Sequence, residues 1–292
     1  MRRAASLIRL MLVAGLCGLG LAQAGTYQLY GNTIVNVMRS YPQPQDSDYH
    51  GLDANWLNDA RATQWLRLDD TAALSAGRAE AKVLAHMGLL KAYASASFPY
   101  CCDATGHLII QGYADAEVKA GFYDSVLVTG AGLAAGTPVS YKLNIRIDGA
   151  LSQPSFEMGG ALAAYGVADI RFTDLSSHAL DSMVWQADRD LPGSFSLVLN
   201  TAVGHEISVS AMLAVGASVS ANARSARSAS ADFYHSAGFS LSPSLAGLNT
   251  QGASGYDYAA SAVPEPAQAS LLMLGLIGLA GLGRQRRRIH RP

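Results

Sequence analysis

Between Tyr141 and Asp148 the sequence reads YKLNIRID, with an apolar side chain at every second position. Side chains of an extended strand point to opposite faces in turn, so this spacing calls for a strand with one buried and one solvated face. Val139 extends the stripe backward, and the glycines and proline of residues 132–138 supply the turn before it. The same alternation runs through residues 194–200, 206–219 and 232–241, and further strands are expected over 82–98, 107–118 and 124–129. Turn signals at Gly106, residues 130–136, Gly149, Gly159-Gly160, Pro192-Gly193 and Gly204 cut the chain into short pieces. Many short strands joined by glycine-rich turns point to an all-β fold, a single sandwich or jelly-roll-like domain over residues 25–241.

Three stretches test that expectation. Ala54, Leu57, Ala60, Ala62 and Trp65 share one side of a helix, so a helical turn is expected over 53–65. Residues 208–231 are rich in alanine and serine, which suits either a stalk or a strand of small residues. The alternation of Val209, Ala211, Leu213, Val215, Ala217 and Val219 favours the strand. Residues 242–262, with Gly, Ser and Pro throughout, read as a tether.

The two ends follow a different logic. Residues 1–24 combine Arg2, Arg3 and Arg9 with an apolar run over 10–21, and small side chains at Ala22 and Ala24 precede Gly25. That is the layout of a signal peptide cleaved before Gly25. Cys17 follows Leu16, which is too bulky for a lipid-attachment site. At the other end, residues 267–283 carry one strongly polar side chain, Gln268, and are expected as a membrane helix somewhat shorter than the roughly 20 residues that span a bilayer comfortably. Five arginines (Arg284, Arg286, Arg287, Arg288, Arg291) in the tail 284–292 mark its cytoplasmic side. Removing the basic residues of both ends leaves 13 of the 21 lysines and arginines, and removing Glu265 leaves 21 of the 22 acidic residues, so residues 25–262 are near −8. With eight of the 21 basic residues in its end signals, an acidic domain of this kind is not expected to bind nucleic acid.

Val263-Pro264-Glu265-Pro266, then an apolar segment rich in Gly and Leu, then the arginine cluster, resembles the PEP-CTERM sorting signal of exported proteins in Gram-negative bacteria that make exopolysaccharide. The resemblance covers about thirty C-terminal residues and assigns no family to the rest. It implies a partner, exosortase, an integral membrane cysteine transpeptidase that removes the helix and tail near the Pro-Glu-Pro site. It also implies a transient membrane anchor followed by the cell surface or extracellular matrix, with exopolysaccharide as a second partner. The backbone chemistry agrees: two prolines one residue apart hold residues 262–265 extended, the form in which processing enzymes accept peptide. A permanent single-pass anchor is the plain alternative, but glycines at 275, 278, 281 and 283 suit a temporary segment or one that packs against a partner.

Candidate chemistry in the remainder is sparse. Cys101 and Cys102 are the only cysteines after signal removal; adjacent, they form a strained ring disulfide, stay unpaired or pair with other chains, or with Asp103 and His107 hold a metal. Asp46-Ser47-Asp48-Tyr49-His50-Gly51 resembles the start of a calcium loop, with Asp46 and Asp48 as ligands, although His50 and Leu57 stand where oxygen ligands belong. Trp56 and Trp65, in an aromatic cluster near the mature N-terminus, are candidates for sugar stacking. The chain has no G-x-S-x-G, no H-E-x-x-H and no phosphate loop, and no cofactor is expected. The expected function is that of a non-enzymatic surface or matrix protein, with a carbohydrate-binding module and a secreted glycan hydrolase as alternatives.

Overall fold

Alternation along each strand decides how this chain packs. In β7 (Pro138–Ser152), Val139, Tyr141, Leu143, Ile145 and Ile147 turn inward and are buried, while Lys142 and Arg146 between them are exposed. A computed structural model describes residues 26–41, 46–58, 64–74, 77–98, 111–152, 162–220 and 227–259. These residues form twelve strands and, among the described residues, no helix. Besides β7 they are β1 (Tyr27–Tyr41), β2 (Asp46–Asn58), β3 (Leu66–Leu74), β4 (Gly77–His86), β5 (Leu89–Phe98) and β6 (Gln111–Leu127). After β7 come β8 (Leu162–Asp174), β9 (Leu180–Gln186), β10 (Gly193–Ala202), β11 (Glu206–Ser220) and β12 (Arg227–Pro243).

The strands divide into two antiparallel sheets of six. Sheet A runs β2-β1-β6-β11-β8-β9, and sheet B runs β10-β7-β12-β5-β4-β3. The inner faces carry one continuous apolar core, and much of it is alanine in register. Ala81, Ala94 and Ala231 stand side by side across β4, β5 and β12, as do Ala79, Ala96 and Ala229. Ala116, Ala217 and Ala164 answer them across β6, β11 and β8. Larger side chains, Phe122, Phe172, Leu143, Ile145 and Phe239, fill the core elsewhere. Small residues on the buried stripe explain why alternation of small with polar residues was enough to make strands here.

The all-β expectation therefore holds, and several elements are corrected. The expected helical turn over 53–65 is absent in its described part: residues 53–58 continue β2, where Ala54 pairs with Gly31 of β1. Partner strand outweighed the helical spacing of those alanines. The stretch 82–98 is two strands, β4 and β5, joined by Met87-Gly88, with Gly88 at φ 72° supplying the left-handed residue. The two strands expected over 107–118 and 124–129 are in their described part the single strand β6.

The expected tether also changes. Residues 244–259 are docked on the sandwich, and Tyr258 among them is fully buried. Chain contacts separate a unit ending at Ala259 from residues 260–292. No helix of the described residues is long and apolar enough to cross a membrane. The expected signal helix (1–24) and membrane helix (267–283) lie outside those residues.

Candidate functional site

The solvated face of sheet B carries a set of charged and aromatic side chains around a groove. Alternation sends Arg67 and Asp69 of β3, Glu80 and Lys82 of β4, Lys91 and Tyr93 of β5, and Asp232 and Tyr234 of β12 away from the core. Strand register aligns them: Asp69, Lys82, Tyr93 and Asp232 stand side by side across four strands. Together Arg67, Lys82, Tyr93, Asp232 and Tyr234 line a groove of about 280 Å³.

A bulge in β12 shapes that groove. Between Phe233 and Ala237, β12 uses residues 234–236 opposite the single residue Lys91 of β5. Such an insertion re-aims side chains on both faces of the strand. Phe233 turns into the core, packing its ring over Gly149 of β7 and Gly166 of β8 and meeting Trp185 of β9 edge-on at 5.6 Å. Glycine is needed there because a side chain at 149 or 166 would occupy the ring's space. Tyr234 is left outside, with the Lys91 ammonium 5.8 Å from its ring centre. Lys91 is only 4% exposed, and burial lowers its pKa.

The remaining cations are held at the groove by neighbours on their own strands. Arg67 Nε donates to Asp69 Oδ2 at 2.7 Å. Lys82 Nζ lies 2.5 Å from Glu80 Oε1 and 5.3 Å from the Tyr93 ring centre. The Glu80 contact raises the Lys82 pKa, so this ammonium stays charged at neutral pH. Asp232 Oδ1 accepts the Tyr234 N–H at 3.0 Å, bracing the bulge.

One step along the same face, aromatic rings run from the surface to the core. Trp65, just before β3, is 52% exposed, and its ring stacks on His86 of β4 at 4.3 Å. His86 meets Tyr256 edge-on at 5.6 Å, and Tyr256 meets Tyr258 at 4.8 Å. The Tyr258 hydroxyl donates to Asp124 Oδ2 at 3.1 Å, and Ser254 Oγ donates to the same oxygen at 2.6 Å. Burial raises the Asp124 pKa, and these hydrogen bonds pull it part of the way back.

Other ionisable clusters serve the fold. Asp174 closes the turn after β8 by accepting the N–H groups of Ser176 and Ser177, and its second oxygen takes Thr201 Oγ1 and His205 Nδ1, both at 2.8 Å. Burial would raise its pKa, yet these bonds together hold it well below the usual carboxylate range. On the outer face of sheet A, Asp115 is raised by burial beside Glu117, which pairs with Lys119 at 3.0 Å. These two carboxylates lie on the opposite sheet from the groove.

Of the residues singled out in the sequence, Trp65 falls on the candidate face. Trp56 belongs to β2, and its side chain lies outside the described residues, as do Cys101, Cys102, Ala22, Ala24, Gly25, Val263, Pro264, Glu265 and Pro266. Asp46 and Asp48 lie in strand β2 and not in a loop. Asp48 Oδ2 accepts the Ala73 N–H at 2.8 Å, and Asp46 faces Arg39 at 4.0 Å. An extended strand cannot wrap several oxygens around one ion as a calcium loop does. His50 instead joins β2 to β3, with Nδ1 2.5 Å from Asp70 Oδ1. Among the described residues no group of three His, Cys, Asp or Glu side chains is placed to hold a metal ion. The sequence reading missed Arg67, Lys82, Tyr93, Asp232 and Tyr234. Each sits on the polar phase of an alternating strand, but their meeting depends on strand order.

Fold and motif together describe an all-β domain on a chain that carries a C-terminal sorting motif. Residues 262–288 match the PEP-CTERM protein-sorting motif, and no family is assigned to the rest of the chain. That motif marks proteins exported to the cell surface by exosortase in Gram-negative bacteria. No curated protein matches the chain. One solved structure found to be similar is an arabinose-bound α-L-arabinofuranosidase, MgGH51, at 10% identity and a TM-score of 0.19. The match covers 64% of this chain and 25% of that one, and carries no argument about fold or activity.

Proposed function

We propose that the protein is a non-enzymatic surface or matrix protein, processed by exosortase at Val263-Pro264-Glu265-Pro266, that holds exopolysaccharide against the outer face of sheet B. The observation that supports this reading best is Trp65, a large ring just before β3 that is left 52% exposed and stacked on His86. An indole fixed in that way offers a flat apolar face to the C–H side of a sugar ring, and further along the same face the groove residues Arg67, Lys82 and Asp232 offer donors and an acceptor for hydroxyls. The arrangement suits holding a glycan better than cutting it. Hydrolysis needs two carboxylates flanking one glycosidic bond, whereas on this face Asp69 and Glu80 pair with Arg67 and Lys82, and Asp232 accepts the Tyr234 N–H.

Electrophoresis of the purified exported protein through gels containing bacterial exopolysaccharide tests the reading. Retarded migration is expected, and Trp65→Ala is expected to weaken binding roughly tenfold, the scale of one lost stacking contact. Migration that no polysaccharide slows would refute it.

A further inference from the structure

We infer that β9 pairs with β9 of a second copy of this chain, joining two A sheets edge to edge across a two-fold axis at Ser182. β9 is an outer strand of sheet A, so one of its sides has no neighbour in the sheet. The bonds at the two ends of the β8–β9 pair fix which residues face that side. Asp174 N–H donates to the Ala179 carbonyl at 2.8 Å, and Ala187 N–H donates to the Gly166 carbonyl at 2.9 Å. Bonded positions alternate along an antiparallel pair, so the odd residues of β9 bond to β8, while Leu180, Ser182, Val184 and Gln186 turn their N–H and C=O groups to the open edge.

Open edges invite pairing with another chain, and folds usually guard them. Guards stand elsewhere in this sandwich. On β3 the Ala73 N–H is taken by Asp48 Oδ2, and on β10 the Val198 N–H is taken by Asp181 Oδ2, both at 2.8 Å. At the end of β9 the Gln186 N–H is taken by Asp190 Oδ2 at 2.7 Å. Among the described residues no side chain caps the N–H of Leu180, Ser182 or Val184. This unguarded run is also apolar at the surface: Leu180 is 57% and Val184 60% exposed, with exposed Ser182 between them.

The occupant is a second copy because the run Leu180-Asp181-Ser182-Met183-Val184 complements itself when reversed. With the two-fold at Ser182, serine meets serine, Leu180 lies beside Val184 of the other copy, and Asp181 lies opposite Met183. Neighbouring apolar pairs of this kind stabilise a sheet, whereas like charges directly opposite oppose it. The adjoining registers are worse. An axis at Asp181 sets two carboxylates against each other, and an axis at Met183 pairs Leu180 with Gln186, whose N–H already has its acceptor. Behind Ser182, Arg171 of β8 is paired with Asp169 at 3.0 Å, so it does not repel its counterpart.

Two-fold pairing consumes the same edge in both copies, so assembly through β9 stops at two. A five-residue edge buries less than the roughly 1,200 Å² at which standard stable interfaces begin, so the dimer is weak and forms reversibly as concentration rises. The pairing does not depend on glycan binding, and it gives each assembly two sheet B faces.

Sedimentation equilibrium of the purified exported protein over a range of concentrations tests the inference. The wild type is expected to shift from monomer to dimer as concentration rises. Ser182→Lys sets two ammonium groups opposite each other at the axis, and is expected to weaken the dimer tenfold or more while the circular dichroism spectrum is unchanged, since Ser182 is exposed. Leu52→Lys, on the other outer strand of sheet A, is expected to dimerise as the wild type does. A wild type that stays monomeric at every concentration overturns the inference. So does a dimer that Ser182→Lys leaves intact, or one that Leu52→Lys weakens equally.

Discussion

Two buried carboxylates in this domain face opposite electrostatic fates. Asp174 accepts four hydrogen bonds and has a depressed pKa, so its ionised form is favoured by folding. Its contribution to stability is complete above the unfolded carboxylate value of about 3.9 and is lost as pH falls through the lower folded value. Asp124 is raised by burial, so its contribution is complete below the unfolded value and declines as pH climbs through the folded one. Asp174→Asn is expected to cost about 1–3 kcal/mol at pH 7, because the amide leaves Thr201 or His205 without its acceptor. Urea unfolding at pH 7 and at pH 2 measures this. The gap between wild type and variant should narrow at the lower pH, and an equal gap at both would show that charge is not what Asp174 contributes. At this scale the sequence drew attention to Trp65, a large ring that the structure leaves 52% exposed. It was silent on Asp124 and Asp174, whose partners Ser254 and His205 lie 130 and 31 residues away.

Among the elements, the β12 bulge joins core to surface. Phe233 can turn inward only because β7 and β8 present Gly149 and Gly166 beneath its ring. Gly149→Ala places a methyl group where that ring lies. It is expected to destabilise the domain by about 1–3 kcal/mol, the usual cost of overpacking, and to displace Tyr234 along with Phe233. Denaturant unfolding combined with glycan retardation checks both effects, and normal glycan binding in the variant would separate the bulge from the groove. The bulge explains why this surface was illegible beforehand. Alternation along residues 232–241 identifies the strand but assumes an unbroken phase, and residues 234–236 break it. Strands such as β7 and β11 were readable because every inward position is apolar. The β4–β5 turn was not, because Met87 and Gly88 sit inside an apolar run with only one glycine to mark the reversal.

At the scale of the whole molecule, the sandwich is complete only at Ala259. The segment after β12 bonds back to several places: Asn249 N–H to Thr129 at 2.8 Å, Ala253 N–H to Ser125 at 2.7 Å, and Tyr258 carbonyl from Leu241 at 2.9 Å. Tyr258 and Ser254 also supply the donors that satisfy buried Asp124, and Tyr256 backs His86 beneath Trp65. The Gly- and Ser-rich composition of this stretch suggested a tether, but those residues make the tight turns, at Gly247 and Gly255, that let it fold back. A chain ending at Ala259 keeps every one of these contacts. A chain ending at Pro243 loses the buried Tyr258 ring and leaves Asp124 without its Ser254 and Tyr258 donors, a loss of about 3–5 kcal/mol on the scale of a buried aromatic deletion. Since a domain of this size shifts its midpoint by about 2–4 °C for each kcal/mol, the shorter chain is expected to melt about 10 °C or more below the longer one. Thermal unfolding followed by circular dichroism compares them directly. Coincident midpoints would mean that residues 244–259 only decorate the sandwich. A large gap would mean that the fold depends on its last sixteen residues, and that the sorting motif follows a domain already closed.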